Sequence, residues 1–355
     1  MNTIRAIVTA TGCAGVGEQL LKALRLSSLP FRRIACDCTP HSTGCTLADD
    51  FLVIPRATHP HYAEQLLDIC RAKHADALFI GSEAELLAVG PHREEFAREG
   101  IFLPLQPEDV LRICLDKARL YEKLNALGIS TPWYRRIRSP EDFADMPSFP
   151  IVFKPAKQSG GSADVYIVRQ QNELRFFSAY LLERHGEFVA QEYVGTPDDE
   201  FTIGILQDMD GELMGSIALH RDLSSSFSRR LKAANTTERR ELGEQLVISS
   251  GISQGVLGGF PHVCSPGIAI ATALGGRGPM NIQCRFSQGK LCLFEINPRF
   301  SGTTSLRALG GWNEPEMLVR RHILGERTVP QPFTQTVRIG RRLEEIIIPQ
   351  HENPC

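Results

Sequence analysis

Apolar and polar positions follow two alternating periods over about the first 115 residues. Short apolar runs typical of buried strands are separated by segments whose apolar residues recur at helical spacing. The predicted strands are 4–10, 32–37 and 76–81, and the predicted helices are 17–27 and 61–75. Because right-handed crossovers place such strands in one parallel sheet, the pattern predicts an α/β, Rossmann-like N-terminal domain over residues 1–115.

A new unit begins near residue 116. Residues 116–127 have apolar positions at helical spacing, Gly128 follows as a helix stop, and Pro132 comes shortly after. The later pattern predicts a helix at 266–274 and strands at 149–155, 165–168, 187–194, 201–205, 213–219, 280–286 and 291–297. The polar residues 221–245 predict a long exposed connection, helical in its second half. We therefore expect an α+β part from residue 116 onward, with a strand or loop tail at 331–355.

Composition excludes some classes of function. The 355 residues carry a formal net charge of −2, which gives no basic field for nucleic acid or for an anionic membrane surface. No run is long enough to span a bilayer, and the first apolar run lacks a signal-peptide pattern. The ten cysteines include no Cys-x-x-Cys pair and are typical of reduced thiols. We expect a cytoplasmic protein without nucleic-acid or membrane partners.

The strongest chemical pattern is Glu295-x-Asn297-x-Arg299 at the end of the last predicted strand. Residues two apart on a strand project to the same face, so a carboxylate and an amide oxygen can share a hard cation there. Arg299 continues the alternation and suits phosphate oxygens. The row therefore predicts Mg²⁺ together with a nucleotide. A solvated polar strand end is the alternative that this pattern alone leaves open.

A glycine-rich turn of Gly12, Gly15 and Gly17 joins the first predicted strand to the first helix, and Asp37 ends the next strand. Such a turn lets a phosphate approach a helix N-terminus, as in dinucleotide-binding domains. The spacing is G-x-x-G-x-G rather than G-x-G-x-x-G, and a βα turn also needs glycine simply to bend. An NAD(P)-dependent oxidoreductase is therefore an alternative, although nothing downstream predicts a hydride-acceptor site.

Four segments that follow this domain resemble the ATP-grasp superfamily, and specifically its carbamoyl phosphate synthetase large-subunit type. They are residues 116–132, 149–168, 189–203 and 278–302, and the resemblance extends over about residues 1–325. It implies a Rossmann-like N-terminal domain followed by a two-subdomain ATP-grasp fold. The small subdomain with its linker helix would be residues 116–195, and the large subdomain with the metal site would be residues 196–330. It also implies ATP, with Mg²⁺ or Mn²⁺ and usually two ions, and small-molecule carboxylate and amine substrates. A homodimer is compatible with it.

The resemblance also assigns roles to residues that would bind the nucleotide. Lys117 and Lys154 would bind its phosphates. The loop residues Ser159, Gly160 and Gly161 would close over the triphosphate and exclude water. The hinge residues that would bind adenine are Gln191, Glu192, Tyr193 and Val194, with Glu192 and Val194 acting through their backbone. Glu200 would take the ribose hydroxyls.

The metal and catalytic positions lie on the last two predicted strands. The resemblance implies Gln283, Glu295 and Asn297 as metal ligands, with Arg299 and Ser301 as catalytic residues. Many relatives have Glu or Asp at the first of these positions. Gln283 therefore removes one anionic ligand, which makes the affinity of one metal site less certain.

The reaction implied is carboxylate activation, in which ATP forms an acyl phosphate and an amine, plausibly of an amino acid or peptide-like molecule, displaces phosphate. The presence of one grasp unit argues against carbamoyl phosphate synthesis itself. Kinase or carboxylase-like phosphoryl transfer is the alternative, and a non-catalytic nucleotide sensor is disfavoured by the lysines, the metal set and Arg299. The substrate pocket is expected between the turns 12–17 and 81–83 and the segment 221–232. The candidate residues for binding a carboxylate are Arg221, Arg229, Arg230 and Lys232. The alternative is that these residues simply belong to a solvated loop.

Overall fold

The structure is a computed structural model that describes residues 2–12, 14–143, 146–157, 162–327 and 332–348. Within these ranges the strands form a parallel four-stranded sheet, an antiparallel four-stranded sheet, an antiparallel six-stranded sheet and a two-stranded hairpin. None of the helices in these ranges is both long and apolar enough to cross a membrane. The architecture confirms the predicted α/β N-terminal domain followed by an α+β part.

The N-terminal domain is built on the parallel sheet. Its strands are β1 (Ile4–Val8), β2 (Phe31–Asp37), β3 (Asp50–Val53) and β4 (Ala77–Phe79), in the order β3-β2-β1-β4. Its helices are α1 (Val16–Arg25), α2 (Tyr62–Ala72), α3 (Glu83–Val89), α4 (Arg93–Arg98) and α5 (Glu108–Cys114). Since the strands are parallel, the loops that follow β1 and β4 meet at the same edge of the sheet.

The antiparallel four-stranded sheet follows helix α6 (Lys117–Ala126). Its strands are β5 (Tyr134–Ile137), β6 (Ile151–Pro155), β7 (Tyr166–Val168) and β8 (Phe188–Glu192), in the order β5-β8-β6-β7, with helix α7 (Gln171–His185) between β7 and β8. Asp116 caps α6, because its side chain accepts from the backbone N–H groups of Ala118 and Arg119. The cap fixes Lys117 at the first turn of the helix.

The six-stranded sheet carries the predicted metal strand at one edge. Its order is β15-β14-β9-β10-β13-β16, for β9 (Glu200–Gln207), β10 (Leu213–Arg221), β13 (Gly255–Gly258), β14 (Pro279–Ser287), β15 (Lys290–Asn297) and β16 (Val337–Ile339). The helices of this part are α8 (Pro261–Ala273), α9 (Thr304–Leu309) and α10 (Glu314–His322). Strand β16 comes from the segment predicted as a tail. The predicted domain limits themselves remain a prediction.

The segment 221–245 differs from the prediction of a connection that is helical in its second half. Strand β11 (Arg229–Ala234) pairs with β12 (Gln245–Ser249) to form an antiparallel hairpin. Alternate residues of β11 are partly buried, and Leu231 packs against a cluster that contains Leu242 and Leu246. The helical prediction is wrong. Leu231 is the one large apolar residue of β11, so the sequence of this strand shows no clear alternation of apolar and polar residues, and its partner β12 lies almost entirely beyond the polar segment.

The apolar cores connect these units. One cluster joins α6 to the six-stranded sheet and α8, through residues such as Leu120, Ile203 and Val263. Another joins the parallel sheet to the C-terminal part, through residues such as Phe79 and Phe300, whose rings lie 5.8 Å apart. The loops of the N-terminal domain are thereby held against the end of β15.

Candidate active site

The β14–β15 hairpin brings the three predicted metal ligands together. Gln283 lies opposite Glu295 in the register, and Asn281 lies opposite Asn297. Asn297 Nδ2 donates to Glu295 Oε1 at 3.1 Å. The local alternation that predicted one shared face for Glu295 and Asn297 is therefore matched by a direct contact between the two side chains.

The two predicted phosphate-binding lysines both approach this strand. Lys117 Nζ lies 3.7 Å from Glu295 Oε2. Lys154 is only 5% exposed, and its Nζ donates to Tyr121 Oη at 2.9 Å, to Gln191 Oε1 at 2.6 Å and to the Phe294 carbonyl at 2.9 Å. Burial, together with the nearby charge of Lys117, lowers the pKa of Lys154 to about 7. The strand end thus has two amines beside one carboxylate.

Glu295 remains the ionised partner of this cluster. Burial acts to raise the pKa of its carboxyl group, but Lys117, the hydrogen bond from Asn297 and the charges of Lys154 and Arg299 outweigh burial and lower that pKa overall. An ionised carboxylate is the form that binds a hard cation.

A first cavity, of about 80 Å³, lies between the two antiparallel sheets. It brings together these predicted nucleotide-binding residues: Lys117, Lys154, Gln191, Glu192, Tyr193, Val194 and Glu200. Its apolar lining includes Val152, Val165, Val247, Ile248 and Phe294. Ser159, Gly160 and Gly161 lie outside the residues that the structure describes, so their predicted role is not tested. A small chamber with apolar walls and a cationic end suits a nucleotide base and its phosphates.

The side chains of Gln191 and Tyr193 in the hinge form hydrogen bonds to other groups of the protein. Gln191 accepts from Lys154 and donates through Nε2 to the Leu293 carbonyl at 3.1 Å. Tyr193 Oη accepts from the Val247 N–H at 2.8 Å. These contacts leave the backbone of the hinge, rather than the Gln191 amide, as the group for recognising a base.

Glu200 is engaged by two arginines that the sequence did not single out for this role. Its carboxylate accepts from Arg221 Nη1 at 3.2 Å and from Arg285 Nη2 at 3.1 Å. Arg285 also donates through Nη1 to the Val194 carbonyl at 3.1 Å, and its guanidinium lies 4.6 Å from the Tyr193 ring centroid. The signal that could have found Arg285 is its position two residues after Gln283, on the same face of β14.

A second cavity, of about 330 Å³, lies next to the first along strands β14 and β15. It shares Lys117, Ser162, Gln283 and Glu295 with the first cavity. Its remaining lining includes Asn281, Asn297, Arg299, Ser301 and, from the N-terminal domain, Ala14, Gly15, Val16 and Glu83. The two cavities therefore meet at Gln283 and Glu295.

The predicted catalytic residues differ in their surroundings. Arg299 Nη2 donates to Glu83 Oε1 at 2.8 Å and to Asn297 Oδ1 at 2.9 Å, so it links α3 to the metal strand. Ser301 Oγ lies 2.6 Å from Thr303 Oγ1, and both residues line the second cavity. Ser301 is nearly buried, and its hydroxyl organises this loop.

Of the four candidate carboxylate-binding residues in the segment 221–232, only one lies at the site. Arg221 lines the second cavity, but it is buried and bound to Glu200, to Ser249 Oγ at 2.9 Å and to the Ser250 carbonyl at 2.8 Å. Arg229, Arg230 and Lys232 lie on β11 and line neither cavity. Arg221 is thus a support for the loop that walls the second cavity.

The glycine turn of the N-terminal domain is closed by Asp37. The Gly12 N–H donates to Asp37 Oδ2 at 2.8 Å, and Ser42 Oγ donates to the same oxygen at 3.2 Å. A Cβ on Gly17 would overlap the Thr9 carbonyl, so this glycine is needed for close packing. The carboxylate expected to bind a ribose in an oxidoreductase is therefore used to hold the turn, which disfavours that alternative.

The donor set fits a divalent cation that arrives with phosphates. Glu295 supplies one carboxylate, and Gln283 and Asn297 supply amide oxygens, all of which suit Mg²⁺. Among the residues described, no group of three or more His, Cys, Asp and Glu side chains could hold a metal ion. Glu295 is the one carboxylate of this donor set, so the set itself carries little negative charge for a closed metal cage.

Comparisons with known proteins agree with this geometry. A family model described as "PylC-like, N-terminal domain" matches residues 12–103, and one described as "ATP-grasp in the biosynthetic pathway with Ter operon" matches residues 260–344. The carbamoyl phosphate synthase large chain of Thermoplasma acidophilum is 23% identical over 216 residues, which are 59% of this chain and 19% of that relative. The chain spans about a fifth to a quarter of the length of the curated relatives that it matches.

Solved structures share the fold at low sequence identity. The biotin carboxylase domain of the Hydrogenobacter thermophilus 2-oxoglutarate carboxylase, solved with MgADP, ADP and bicarbonate, has a TM-score of 0.65 at 16% identity, covering 95% of this chain and 74% of that one. The L-amino acid ligase from Bacillus licheniformis has a TM-score of 0.62 at 14% identity, covering 94% and 78%. The family models and the curated relatives support the ATP-grasp superfamily for this chain, and the solved structures show that it has the same fold.

Proposed function

We propose that the protein is an ATP-dependent, ADP-forming ligase that activates a carboxylate as an acyl phosphate and joins it to an amine. The observation that carries this proposal is the meeting of the two cavities at Gln283 and Glu295. A nucleotide in the first cavity would present its terminal phosphate at this boundary. A carboxylate in the second cavity would face that phosphate from the other side, which is the proximity that phosphoryl transfer needs.

The side chains around the boundary act by position and charge. Lys117 and Lys154 would bind the phosphates, and Glu200 with the hinge backbone would bind the ribose and base. Arg299, a planar donor already turned toward Asn297, would bind the oxygens of the transferred phosphoryl group. Glu295, Gln283 and Asn297 would hold Mg²⁺, which when bound neutralises phosphate charge.

The reaction needs no protein nucleophile. A carboxylate oxygen forms a bond to the γ-phosphorus of ATP, and the bond from that phosphorus to the bridging oxygen breaks to leave ADP. The amine nitrogen then attacks the acyl carbon, a C–N bond forms, and the C–O bond to phosphate breaks. The proton lost from nitrogen leaves with the released phosphate or passes to solvent. Water must be excluded meanwhile, because an acyl phosphate hydrolyses readily.

The second cavity favours small substrates. Its volume of about 330 Å³ must hold the terminal phosphate as well as both reactants. Among proteins of the same fold is an enzyme described as an L-amino acid ligase, so amino acids and short peptide-like acids are the first class to test.

The test is an ADP-release assay with MgATP and a matrix of acids and amines. ADP release should require both partners, and an acid labelled with ¹⁸O in its carboxylate should transfer one label to inorganic phosphate. Glu295→Gln should abolish both signals while the protein stays folded. AMP release would exclude the acyl phosphate route. ADP release with one hydroxyl substrate or with bicarbonate alone would instead support the kinase or carboxylase alternative.

A further inference from the structure

A buried ion pair lies behind the wall of the second cavity. Arg307 and Glu314 are each 1% exposed, and Arg307 Nη1 lies 3.0 Å from Glu314 Oε1. Thr304 Oγ1 donates to the other oxygen of Glu314 at 3.3 Å. Gly204 on β9 makes room for this pair, because a Cβ at that position would overlap Arg307 Nη1. A glycine at position 204 is therefore needed to leave space for the buried guanidinium of Arg307.

Stability alone does not account for this arrangement. A buried ion pair is often no more stabilising than apolar residues of similar volume, because both charges lose their hydration. Arg307 has a second contact that an apolar residue could not make: its Nη2 donates to Asn281 Oδ1 at 2.6 Å. The same oxygen lies 2.9 Å from Thr202 Oγ1.

These contacts fix the orientation of the Asn281 amide. A guanidinium can only donate hydrogen bonds, so the atom of Asn281 that faces Arg307 must be the oxygen. The amide nitrogen then points to the other side. Nδ2 has no acceptor among the residues that the structure describes, whereas Oδ1 faces two donor groups.

The Asn281 side chain, whose Nδ2 is the atom without an acceptor among the described residues, is part of the wall of the second cavity. Asn281 lines that cavity and lies opposite Asn297 in the β14–β15 register. Its amide nitrogen can only donate, so this part of the wall suits an oxygen that bears negative charge and does not suit an ammonium group.

We propose that Asn281 binds an anionic oxygen of the ligand in the second cavity and that Arg307 is a positioning residue that holds its amide nitrogen toward that oxygen. The proposal rests on the proposed function for the nature of the ligand, a phosphoryl group or a carboxylate. Glu314 keeps Arg307 in place, and Gly204 gives both side chains space. The wall therefore has an anion-binding donor in addition to Arg299.

The first test replaces the donor and adds a negative charge at the same place. Asn281→Asp retains an oxygen for Arg307 and Thr202 but replaces Nδ2 by a carboxylate oxygen. Inorganic phosphate and, in a separate arm, acetate are titrated by calorimetry into protein saturated with MgADP. We expect the wild type to bind at least one anion, and Asn281→Asp to bind it roughly tenfold more weakly or worse, while MgADP affinity stays within about threefold. The arm that responds identifies the phosphoryl or the carboxylate oxygen as the ligand group.

The matched control is Asn125→Asp, which makes the same amide-to-carboxylate change on the exposed face of α6 and should leave anion binding unchanged. A wild type that binds neither anion overturns the proposal, as does an Asn281→Asp variant that binds like the wild type. These titrations do not depend on turnover. If no acid and amine pair supports ADP release, the proposed function fails while the anion titration still decides the role of Asn281.

The second test separates positioning from general support. The double variant Arg307→Met/Glu314→Leu removes both buried charges together and frees the Asn281 amide to rotate. We expect weaker anion binding, and in this background Asn281→Asp should change anion affinity by less than about threefold. A full tenfold effect of Asn281→Asp in both backgrounds would show that Arg307 does not position the amide. If the double variant does not fold, the titration of Asn281→Asp and Asn125→Asp decides the anion site, and Arg307→Lys, which keeps a cationic donor beside Asn281 Oδ1, should keep anion affinity within about threefold of the wild type.

Discussion

Lys154 should take up a proton when a nucleotide binds. Its amine is buried among Tyr121, Gln191 and the Phe294 carbonyl, and burial with the charge of Lys117 lowers its pKa to about 7. The polyphosphate of a nucleotide would place several negative charges beside the amine. Because an adjacent opposite charge favours the ionised form, the pKa of Lys154 should rise in the complex toward its ordinary value near 10.

The size of the effect follows from these two pKa values. With a pKa of about 7, Lys154 of the free protein is protonated to roughly 10% at pH 8 and to roughly 90% at pH 6. With a pKa near 10 in the complex, it is almost fully protonated at both pH values. Binding should therefore take up about 0.9 proton at pH 8 and about 0.1 proton at pH 6 from this residue. Nucleotide affinity should correspondingly weaken as the pH rises above 7.

Calorimetry in buffers of contrasting ionisation enthalpy, such as Tris and HEPES, measures this uptake directly. A non-hydrolysable ATP analogue with Mg²⁺ is titrated at pH 8, where the nucleotide itself does not change protonation. Lys154→Met should remove the buffer-dependent heat. The control is Lys157→Met. Lys157 is an exposed lysine that follows the same strand as Lys154 and pairs with Glu187, so its removal should leave the buffer-dependent heat unchanged. Equal binding heats in both buffers at pH 8 for the wild type would mean that Lys154 is already charged, and would refute the reasoning.

Three further substitutions test the metal, phosphoryl and hinge groups. Gln283→Glu adds a second carboxylate opposite Glu295 and should tighten Mn²⁺ binding roughly tenfold, measured by paramagnetic resonance with ADP present; unchanged affinity would remove Gln283 from the metal set. Arg299→Ala should lower kcat for ADP release by roughly 10²- to 10³-fold with little loss of ATP affinity, and a near-normal rate would contradict its role. Arg285→Met leaves the Val194 carbonyl without its guanidinium partner and leaves one oxygen of Glu200 unpaired. Urea unfolding should show a loss of roughly 3–5 kcal/mol, and a loss below about 1 kcal/mol would contradict the importance of that contact.

The sequence predicted those parts of the site that local geometry determines. Glu295 and Asn297 share a face because they lie two apart on β15. Gln283 lies beside them because its strand, β14, forms a hairpin with β15. The engagement of Glu200 by Arg221 and Arg285 could not be predicted in this way. Those contacts join β9, β10 and β14, and the pairing of strands distant in sequence is not encoded in any single local pattern.

The fold shows the same division between local and distant signals. The parallel sheet was predictable because strong apolar strands and amphipathic helices alternate along the chain. The β11–β12 hairpin was not, because its β11 strand offers little apolar alternation and gains its burial from contacts such as that of Leu231 with Leu246. Asp37 was a candidate ligand-binding residue by position, yet its carboxylate closes the turn at Gly12.

Mg²⁺ should bind to this protein with the nucleotide and not before it. Glu295 is the one carboxylate of the proposed ligand set, and Lys117 lies 3.7 Å from it, so the free site has little negative charge to offset the loss of metal hydration. Phosphates would reverse that balance, because they neutralise the lysines and add oxygen ligands of their own. Millimolar Mg²⁺ alone should therefore leave the Tm unchanged, ADP alone should raise it slightly, and the two together should raise it by more than the sum. A clear rise with Mg²⁺ alone that Glu295→Gln removes would show instead that the metal site forms without phosphates, and that the charge of Lys117 does not prevent it.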